Sequence, residues 1–265
     1  MSKSVISIAG LDIGSRTTKL VVRAAEELRL VIADSGPDPL GTAERLVGEY
    51  TPDVVWATGY GRHLAKQSFA QGAVTEIRAA AVGARRLFPE CRTVIDLGGQ
   101  DSKVIALDEA GRAVHFEMND RCAAGTGRFL EVMAERLGYT LDEFGQAALD
   151  EPTAIPINST CTVFAESEVV SLIARGEARE RIAKGLHLAV AERVNAMVMK
   201  AGGTRPEVVF CGGVAHNLCM RHLLGERLHA TILVPDDPQI VAALGALLVA
   251  ERQLIRAAER SLSES

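Results

Sequence analysis

The sequence predicts an α/β protein made of two similar halves with a cleft between them. A polar hairpin turn occurs twice, with a constant offset of 84 residues between its copies, which are Asp12, Gly14 and Lys19 and then Asp96, Gly98 and Lys103. A second stretch, an apolar strand that ends in a glycine turn at 52–61, resembles 206–215 at an offset of 154. Helical patterns separate these strands, and mixed sheets covered by helices are typical of α/β domains.

The first half has the pattern of a hairpin, a third strand and a helix. Apolar runs of strand length bounded by turn residues predict strands, here at 5–10, 19–23 and 28–35 with a polar turn at 11–18. A helix is predicted over 40–50, closed by Pro52. We expect this half to span 1–89. A C-terminal helix within 238–258 is expected to pack back on it, because small residues such as Ala243 and Gly245 allow close approach.

The second half, 90–237, repeats this order and carries an insertion. Its first strands are predicted at 93–95, 103–107 and 112–117. Apolar residues at helical spacing then predict helices at 122–137, at 141–149, directly after Cys161 and over about 179–201. The half is expected to close with a strand that begins near Val208 and a helix over 218–228.

The composition is that of an ordinary globular chain. Of its 265 residues, 48% are hydrophobic and 24% are charged, and the net charge is −5 without a long run of one sign. This charge argues against nucleic acid or a membrane surface as the main partner. The longest apolar run, 241–250, is too short to span a bilayer, and Asp12 interrupts the apolar start of the chain, which therefore does not resemble a signal peptide. We expect a cytoplasmic protein.

Two of the five cysteines precede helical patterns. Cys122 lies in a turn of small residues, and Cys161 follows 39 residues later. The amides and the dipole of a helix N-terminus favour a thiolate, which is the form that binds metal. No CxxC pair is present, so these two cysteines look like half of a four-thiolate site. The alternative is a buried apolar thiol, which is also the expectation for the remaining three, Cys91, Cys211 and Cys219.

The two Asp-x-Gly turns suit a nucleoside phosphate and its metal ion. Glycine lets backbone amides approach an anion, and a carboxylate suits a hydrated divalent cation. We expect Asp12 and Asp96 to act on Mg²⁺ through water and Lys19 to contact a phosphate. One such turn would be an ordinary hairpin feature, and the repeat favours phosphate binding. The other predicted phosphate contacts are Gly14, Ser15, Arg16, Thr17, Gly98, Gly99 and Gln100.

A glycine turn after the strand near Val208 is predicted to serve the nucleoside. It follows a buried strand and precedes a helix, and its glycines leave room for a flat base and a ribose. The residues assigned to this loop are Gly212, Gly213, Val214 and Asn217. The sequence GxxxxGK[ST] does not occur, which argues against a P-loop enzyme.

These loops resemble those of the superfamily of sugar kinases, actin and the heat-shock chaperone ATPases, a duplicated ribonuclease H-like fold around a nucleotide cleft. Within it the chain resembles the ATP-dependent activators of 2-hydroxyacyl-CoA dehydratases and their benzoyl-CoA reductase relatives. The runs that carry the resemblance are 57–62, 96–103, 119–129, 161–167 and 212–215. The chain departs from the pattern at Arg16 and Cys211, where the resembled proteins usually have threonine.

The resemblance implies an ATPase coupled to electron transfer. In that family the cysteines that match Cys122 and Cys161 hold one 4Fe-4S cluster jointly from two subunits, so an oxygen-sensitive homodimer is implied. ATP hydrolysis then gates one-electron transfer to a partner iron-sulfur dehydratase or reductase, and a donor such as ferredoxin or flavodoxin recharges the cluster. Gln100 and Asp101 lie beside the second phosphate loop, where they are expected to position the attacking water for catalysis together with Asp12 and Asp96.

Two other functions compete with this one. A small-molecule kinase of the same superfamily needs an acceptor pocket with a catalytic base, usually in inserted subdomains, and the insertion here is occupied by helices preceded by cysteines. A nucleotide-gated binding module would need neither cysteine. Colour separates these possibilities, because only the cluster protein is brown after anaerobic purification.

Overall fold

The computed structural model describes residues 6–157 and 161–263. The chain divides into two compact units, and each unit is built on one five-stranded sheet. Unit 1 comprises the residues up to Pro89, Ala110–Ala113 and the residues from Gln239 onward, and unit 2 comprises Glu90–Glu109 and Val114–Pro238. Among the described residues, no helix has the length and apolar character that crossing a membrane requires.

The elements are named here in chain order. They are β1 (Ile8–Ile13), β2 (Thr17–Ala24), β3 (Glu27–Asp34), α1 (Pro39–Tyr50), β4 (Val54–Gly59), α2 (Arg62–Ser68), β5 (Gly72–Ala73), α3 (Glu76–Leu87), β6 (Thr93–Leu97), β7 (Ser102–Leu107), β8 (Ala113–Asn119), α4 (Gly127–Leu137), α5 (Leu141–Asp150), α6 (Thr162–Ala174), α7 (Arg179–Lys200), β9 (Val208–Cys211), α8 (Leu218–Leu228), β10 (Ile232–Leu233) and α9 (Val241–Ser263). A 3₁₀ turn, Gly213–His216, lies between β9 and α8.

The sheet of unit 1 has the order β3-β2-β1-β4-β5, with β1 antiparallel to β2 and parallel to β4. The first strand was predicted to end at Gly10, and it continues to Ile13 because Leu11 and Ile13 alternate with Asp12 and are buried in the core. Asp12 therefore lies inside β1 rather than in the turn that follows it.

Helix α9 packs against the same sheet with very close backbone contacts. A Cβ on Gly10 would lie 2.0 Å from the carbonyl oxygen of Ala243, and a Cβ on Gly245 would lie 1.8 Å from that of Ala79. No side chain fits at such distances, so Gly10 of β1 lets α9 approach the sheet and Gly245 of α9 lets it approach α3. The helix begins later than predicted, at Val241, and continues to Ser263.

The sheet of unit 2 has the order β10-β9-β6-β7-β8, which repeats the order of unit 1 strand for strand. β6 pairs antiparallel with β7 and parallel with β9, as β1 does with β2 and β4. One continuous core fills this unit, with Phe144 and Phe210 among its largest buried side chains. The chain is therefore an internal duplication.

The register of the strands confirms one predicted repeat and corrects the other. Asp12 pairs with Lys19 across β1 and β2, and Asp96 pairs with Lys103 across β6 and β7, which is the predicted offset of 84. On the parallel side Asp12 pairs with Thr58, whereas Asp96 pairs with Cys211, an offset of 153 rather than 154. The alignment of 52–61 with 206–215 was therefore one residue out of register. A shift of one residue moves every side chain to the other face of a strand.

Candidate functional site

The first predicted phosphate loop is a tight turn between β1 and β2. Asp12 is 8% exposed, and its Oδ2 accepts a hydrogen bond from Lys19 Nζ at 3.1 Å. The amide of Gly14 donates to the Thr17 carbonyl at 3.2 Å, and a Cβ on Gly14 would lie 2.8 Å from that oxygen. Glycine is required by this contact. Ser15 and Arg16 form the tip of the turn, where Arg16 is exposed.

The end of β3 holds this loop in place. Ser35 donates its hydroxyl to the Gly14 carbonyl at 2.7 Å and its amide to the Arg16 carbonyl at 2.9 Å. The hydroxyl of Thr18 lies 3.0 Å from the same Ser35 oxygen, inside the unit. The backbone of the turn therefore has a fixed shape, which a loop that binds phosphate needs.

The second loop, between β6 and β7, contains an ion pair between Lys103 and Asp101. Lys103 Nζ lies 2.6 Å from Asp101 Oδ2, and the two side chains are 5% and 8% exposed. The Gly98 amide donates to the Asp101 carbonyl at 3.0 Å. Asp96 is half-buried at the end of β6, and Gln100 is exposed at the tip of the turn. Of the two predicted catalytic residues that follow the loop, Asp101 is thus a buried ion-pair partner and Gln100 is free to reach solvent.

A glycine with positive φ packs against the aspartate of each loop. Gly59 has φ +85°, and a Cβ there would lie 2.6 Å from Asp12 Oδ1. Gly212 has φ +83°, and a Cβ there would lie 2.5 Å from Asp96 Oδ1 and 2.4 Å from the carbonyl oxygen of Leu97. Gly212 is therefore the structural counterpart of Gly59, and Gly213, which the sequence had aligned with Gly59, is the exposed first residue of the 3₁₀ turn.

The other two residues predicted for the nucleoside loop make contacts inside unit 2. Val214 is buried and lies near Gly127, at the start of α4. Asn217 caps α8, because its Oδ1 accepts the Met220 amide at 3.0 Å, and its Nδ2 lies 2.9 Å from Nε2 of the buried His187. Both polar atoms of Asn217 are therefore used within the fold, and its contact with a nucleotide stays a prediction.

Cys122 lies in a loop before α4, which corrects the helix predicted over 122–137. The helix begins at Gly127, with Thr126 as its N-cap, because Gly125 has φ +89° and cannot belong to a right-handed helix. Two side chains bond to backbone carbonyls of this loop. Asn119 Nδ2 donates to the Cys122 carbonyl at 2.9 Å, and Thr126 Oγ1 donates to the Ala123 carbonyl at 2.6 Å. Cys122 therefore precedes the first helical residue by five positions and is not part of α4.

A cation from α7 lies beside Cys122. Arg193 NH1 donates to Cys122 Sγ at 3.8 Å and to the Ala124 carbonyl at 3.1 Å. A guanidinium thus places a positive charge beside this cysteine. Cys122 itself is partly exposed and is a free cysteine.

The Cys122 loop is bonded directly to the second phosphate loop. The amides of Gly127 and Arg128 donate to the carbonyls of Gly98 and Gly99 at 2.9 and 2.8 Å. In addition, the buried Ser102 hydroxyl donates to the Gly125 carbonyl at 2.6 Å. The first amides of α4 are therefore satisfied by the predicted nucleotide loop, and a displacement of one segment acts on the other.

Cys161 is the N-cap residue of α6, as predicted, and its side chain makes no capping hydrogen bond. Beside it, the buried Thr162 hydroxyl has no hydrogen-bond partner in the described part of the chain. Val163 and Phe164 follow and are 67% and 68% exposed. An ion pair between Arg136 and Glu166 ties α4 to α6.

The other three cysteines are buried core residues, as expected, at 0% exposure for Cys91 and Cys219 and 1% for Cys211. Burial, with the neighbouring Asp96 carboxylate adding to it, raises the pKa of the Cys211 thiol well above its usual value. Burial also raises the pKa of Cys219 to about 11. Both thiols therefore stay protonated at neutral pH. Within residues 6–157 and 161–263, no three or more His, Cys, Asp or Glu side chains are grouped to hold a metal ion.

Comparison with known proteins decides the family. The model of the BadF/BadG/BcrA/BcrD ATPase family matches residues 9–250. The chain belongs to this ATPase family. It is 43% identical over 251 residues to the activator of lactoyl-CoA dehydratase of Anaerotignum propionicum, which covers 91% of this chain and 96% of the relative. It is 37% identical over 257 residues to the (R)-2-hydroxyglutaryl-CoA dehydratase activating ATPase of Acidaminococcus fermentans, at 92% and 96% coverage.

A solved structure shows that this ATPase shares its fold with an activator. The activator of the 2-hydroxyisocaproyl-CoA dehydratase from Clostridium difficile, with bound ADPNP, superposes with a TM-score of 0.84 at 38% identity, covering 98% of both chains. The predicted duplicated fold of the actin-like ATPases and the resemblance to dehydratase activators are thereby confirmed.

Sequence reasoning missed three residues of this ATPase that hold its loops. Ser35, Arg193 and His187 lie 21, 71 and 30 residues from their partners Gly14, Cys122 and Asn217. None belongs to a recognisable motif, because each acts through a contact that only the tertiary structure creates. Ser35 alone had a local signal, since a serine directly after a strand often bonds to neighbouring backbone.

Proposed function

We propose that this ATPase is a homodimeric activator that delivers one electron at a time to a partner iron-sulfur enzyme of the 2-hydroxyacyl-CoA dehydratase or benzoyl-CoA reductase type. The relatives named as dehydratase activators support this proposal, since they match almost the full length of the chain. In it, a 4Fe-4S cluster held by Cys122 and Cys161 of two subunits supplies the low-potential electron, and ATP binding and hydrolysis gate the transfer. A ferredoxin or flavodoxin is the proposed source of the electron.

The nucleotide is proposed to bind at the duplicated loops. Asp12 and Asp96 orient Mg²⁺ through water, because carboxylates at the end of a strand suit a hydrated cation. Lys19 contacts a phosphate, together with residues Gly14, Ser15, Arg16 and Thr17 of one loop and Gly98 and Gly99 of the other. Gln100 and Asp101 position the attacking water, and Gly212, Gly213, Val214 and Asn217 serve the nucleoside. The ADPNP-bound structural relative supports a nucleotide site in this fold.

The donor set of this chain fits the proposed cluster. Iron-sulfur clusters are held by thiolates and are tuned by charges and hydrogen bonds near their sulfurs. Cys122 and Cys161 are both partly exposed and free, whereas the three remaining thiols are buried. Near Cys122 a guanidinium offers a positive charge, and near Cys161 the helix N-terminus and the Thr162 hydroxyl, which has no partner among the described residues, offer hydrogen-bond donors. Two chains provide the four ligands, because a twofold interface duplicates every surface residue.

The observation that carries the proposal is the pair of backbone hydrogen bonds from the start of α4 to Gly98 and Gly99. A nucleotide that changes the shape of the second phosphate loop would move the Gly98 and Gly99 carbonyls, which accept the first two amides of α4. The loop that holds Cys122 directly precedes those amides in the chain. In the proposal, nucleotide state therefore biases the position of Cys122 through these hydrogen bonds.

Anaerobically purified protein tests the proposal. We expect a brown protein that, once reduced, passes electrons to a purified 2-hydroxyacyl-CoA dehydratase when ATP and Mg²⁺ are present and does not do so without ATP. Cys122→Ser should abolish this transfer and retain nucleotide binding. A colourless protein that consumes ATP only when a small-molecule acceptor is added would contradict the proposal and indicate the kinase instead.

A further inference from the structure

The Cys122 loop contains a charged contact that no sequence motif indicates. Arg193 lies in the middle of α7 and is half-buried, and a single nitrogen of its guanidinium, NH1, donates both to Cys122 Sγ and to the Ala124 carbonyl. The same carbonyl also accepts Asn119 Nδ2 at 3.2 Å. One side chain thus contacts both the sulfur of Cys122 and the backbone of the loop that holds it.

The small residues of the loop make room for this side chain. A Cβ on Gly125 would lie 2.6 Å from Cδ and 3.4 Å from Cγ of Arg193, so the aliphatic part of the arginine passes directly over this glycine. Gly125 also has φ +89°, which turns the chain so that the Ala124 carbonyl can meet the guanidinium. The glycine after Cys122-Ala-Ala is therefore explained by Arg193.

The charge beside Cys122 comes from a side chain. Cys122 precedes the first residue of α4 by five positions, and the effect of a helix dipole falls off within the first turn. A hydrogen bond from a cation to an anionic sulfur is about twice as strong as a neutral one. Of the described contacts of Cys122 Sγ, the one with Arg193 brings a full positive charge to it.

We propose that Arg193 is a positioning residue that fixes the Cys122 loop and sets the reduction potential of the cluster which Cys122 helps to hold. The inference rests on the proposed function for its second part, and its first part concerns the metal-free chain. Reduction adds one negative charge to the cluster, and a guanidinium beside a ligand sulfur stabilises that charge. Arg193 therefore makes the cluster easier to reduce.

Three variants separate charge, contact and general damage. Arg193→Gln removes the charge and Arg193→Lys keeps it. Arg179→Gln is the matched control, because Arg179 is on the same helix and donates to the Leu137 carbonyl at 3.0 Å, at the far end of α4 from Cys122. Redox titration of the reconstituted dimers should show that Arg193→Gln is harder to reduce, with a reduced-to-oxidised ratio at fixed potential about tenfold lower, as the loss of one charged hydrogen bond predicts. Arg193→Lys should recover most of this ratio.

Amide hydrogen exchange on the metal-free protein tests the contact independently of any cluster. We expect the segment 122–126 to exchange several-fold faster in Arg193→Gln than in the parent or in Arg179→Gln. If the parent never holds iron, the proposed function fails and this measurement still decides the first part. Unchanged exchange together with an unchanged potential in Arg193→Gln would overturn the inference. Equal loss of iron in all three variants would also overturn it, since the effect would then be general damage to α7.

Discussion

The amide of Gly127 donates to the carbonyl of Gly98 at 2.9 Å, so the first residue of α4 is bonded to the second phosphate loop. Thr126, the N-cap of the same helix, makes no side-chain capping bond to it. The loop thus supplies an acceptor that a capping side chain commonly supplies. In the proposed function this bond transmits nucleotide state to Cys122.

Removing that single donor should uncouple nucleotide from the cluster. Proline is tolerated at the first position of a helix and has no N–H, so Gly127→Pro deletes the bond to Gly98. Gly127→Ala is the matched control, because it adds the same Cβ, 3.0 Å from the Gly98 oxygen, and keeps the donor. We measure how fast an iron chelator removes iron with and without ATP. In the proline variant the effect of ATP on this rate should shrink by about threefold to tenfold, so that the ratio of the two rates approaches one. This factor corresponds to the free energy of one hydrogen bond. A ratio equal to that of Gly127→Ala would contradict the coupling.

Gly212 and Gly213 should respond differently to the same small change. Gly212 has φ +83° and ψ 175°, a conformation that only glycine adopts readily, and a Cβ there would collide with Leu97. Gly212→Ala should lower the free energy of unfolding by about 1 to 3 kcal/mol and weaken ADP binding. Gly213→Ala, at an exposed position, should affect stability little. Urea unfolding and calorimetry check both, and equal effects of the two substitutions would refute the corrected register.

Asp12 should be needed for ATP hydrolysis and dispensable for iron. Asp12→Asn keeps the size of the side chain and removes the charge that is proposed to orient Mg²⁺. We expect turnover to fall by about 100-fold, or about 3 kcal/mol in activation free energy, at unchanged iron content. Asp53→Asn is the control, since Asp53 bonds to Ser7 within the same unit. Normal turnover in Asp12→Asn would remove the first loop from the nucleotide site.

The sequence was sufficient for the duplication and insufficient for the contacts made across it. The repeated Asp-x-Gly turn predicted both hairpins, because a turn and its flanking strands are local. Lys19 and Lys103 occupy equivalent positions; Lys19 contacts Asp12, and Lys103 contacts Asp101. The local sequence differs by an aspartate at 101, where the first loop has Thr17. The repeated letters alone could not show that Asp101 would contact Lys103.

The start of α4 shows another limit of pattern reading. Apolar positions at helical spacing correctly predicted the helix, and the residues before them decided where it begins. Asn119 and Thr126 satisfy backbone carbonyls of the loop, and such local bonds compete with helix formation. The electrostatic partner of Cys122, Arg193, is 71 residues away in sequence. Helix periodicity carries no information about such a partner.

Acid should destabilise the protein through His187. Burial lowers the pKa of this histidine from 6.5 to about 4, so between these values the unfolded chain binds a proton that the folded chain does not. Stability should therefore be fully present above pH 6.5 and should fall as the pH drops toward 4, by roughly 3 kcal/mol for this group. Replacing His187 with glutamine removes the titration. Unfolding measured at pH 7 and pH 4.5 should show a smaller acid loss in His187→Gln than in His115→Gln, whose histidine is exposed; equal losses would exclude the buried histidine as the cause.

Substitution of each cysteine should divide the five into two groups. Cys122→Ser and Cys161→Ser should each abolish iron binding, because a cluster with four thiolate ligands loses two of them in a dimer that carries either change. Cys219→Ser is the control, since Cys219 is a fully buried thiol in the core of unit 2. It should retain the iron of the parent. Iron retained in Cys161→Ser would move the search for ligands to the buried cysteines.

Native mass spectrometry of the anaerobically purified protein tests the shared cluster most directly. Two cysteines per chain and four ligands per cluster predict a dimer that carries one group of four iron and four sulfide atoms, about two iron atoms per chain. Exposure to air should remove the group from the dimer. A monomer that holds four iron atoms alone, or an iron-free dimer that still activates a dehydratase with ATP, would contradict the shared cluster.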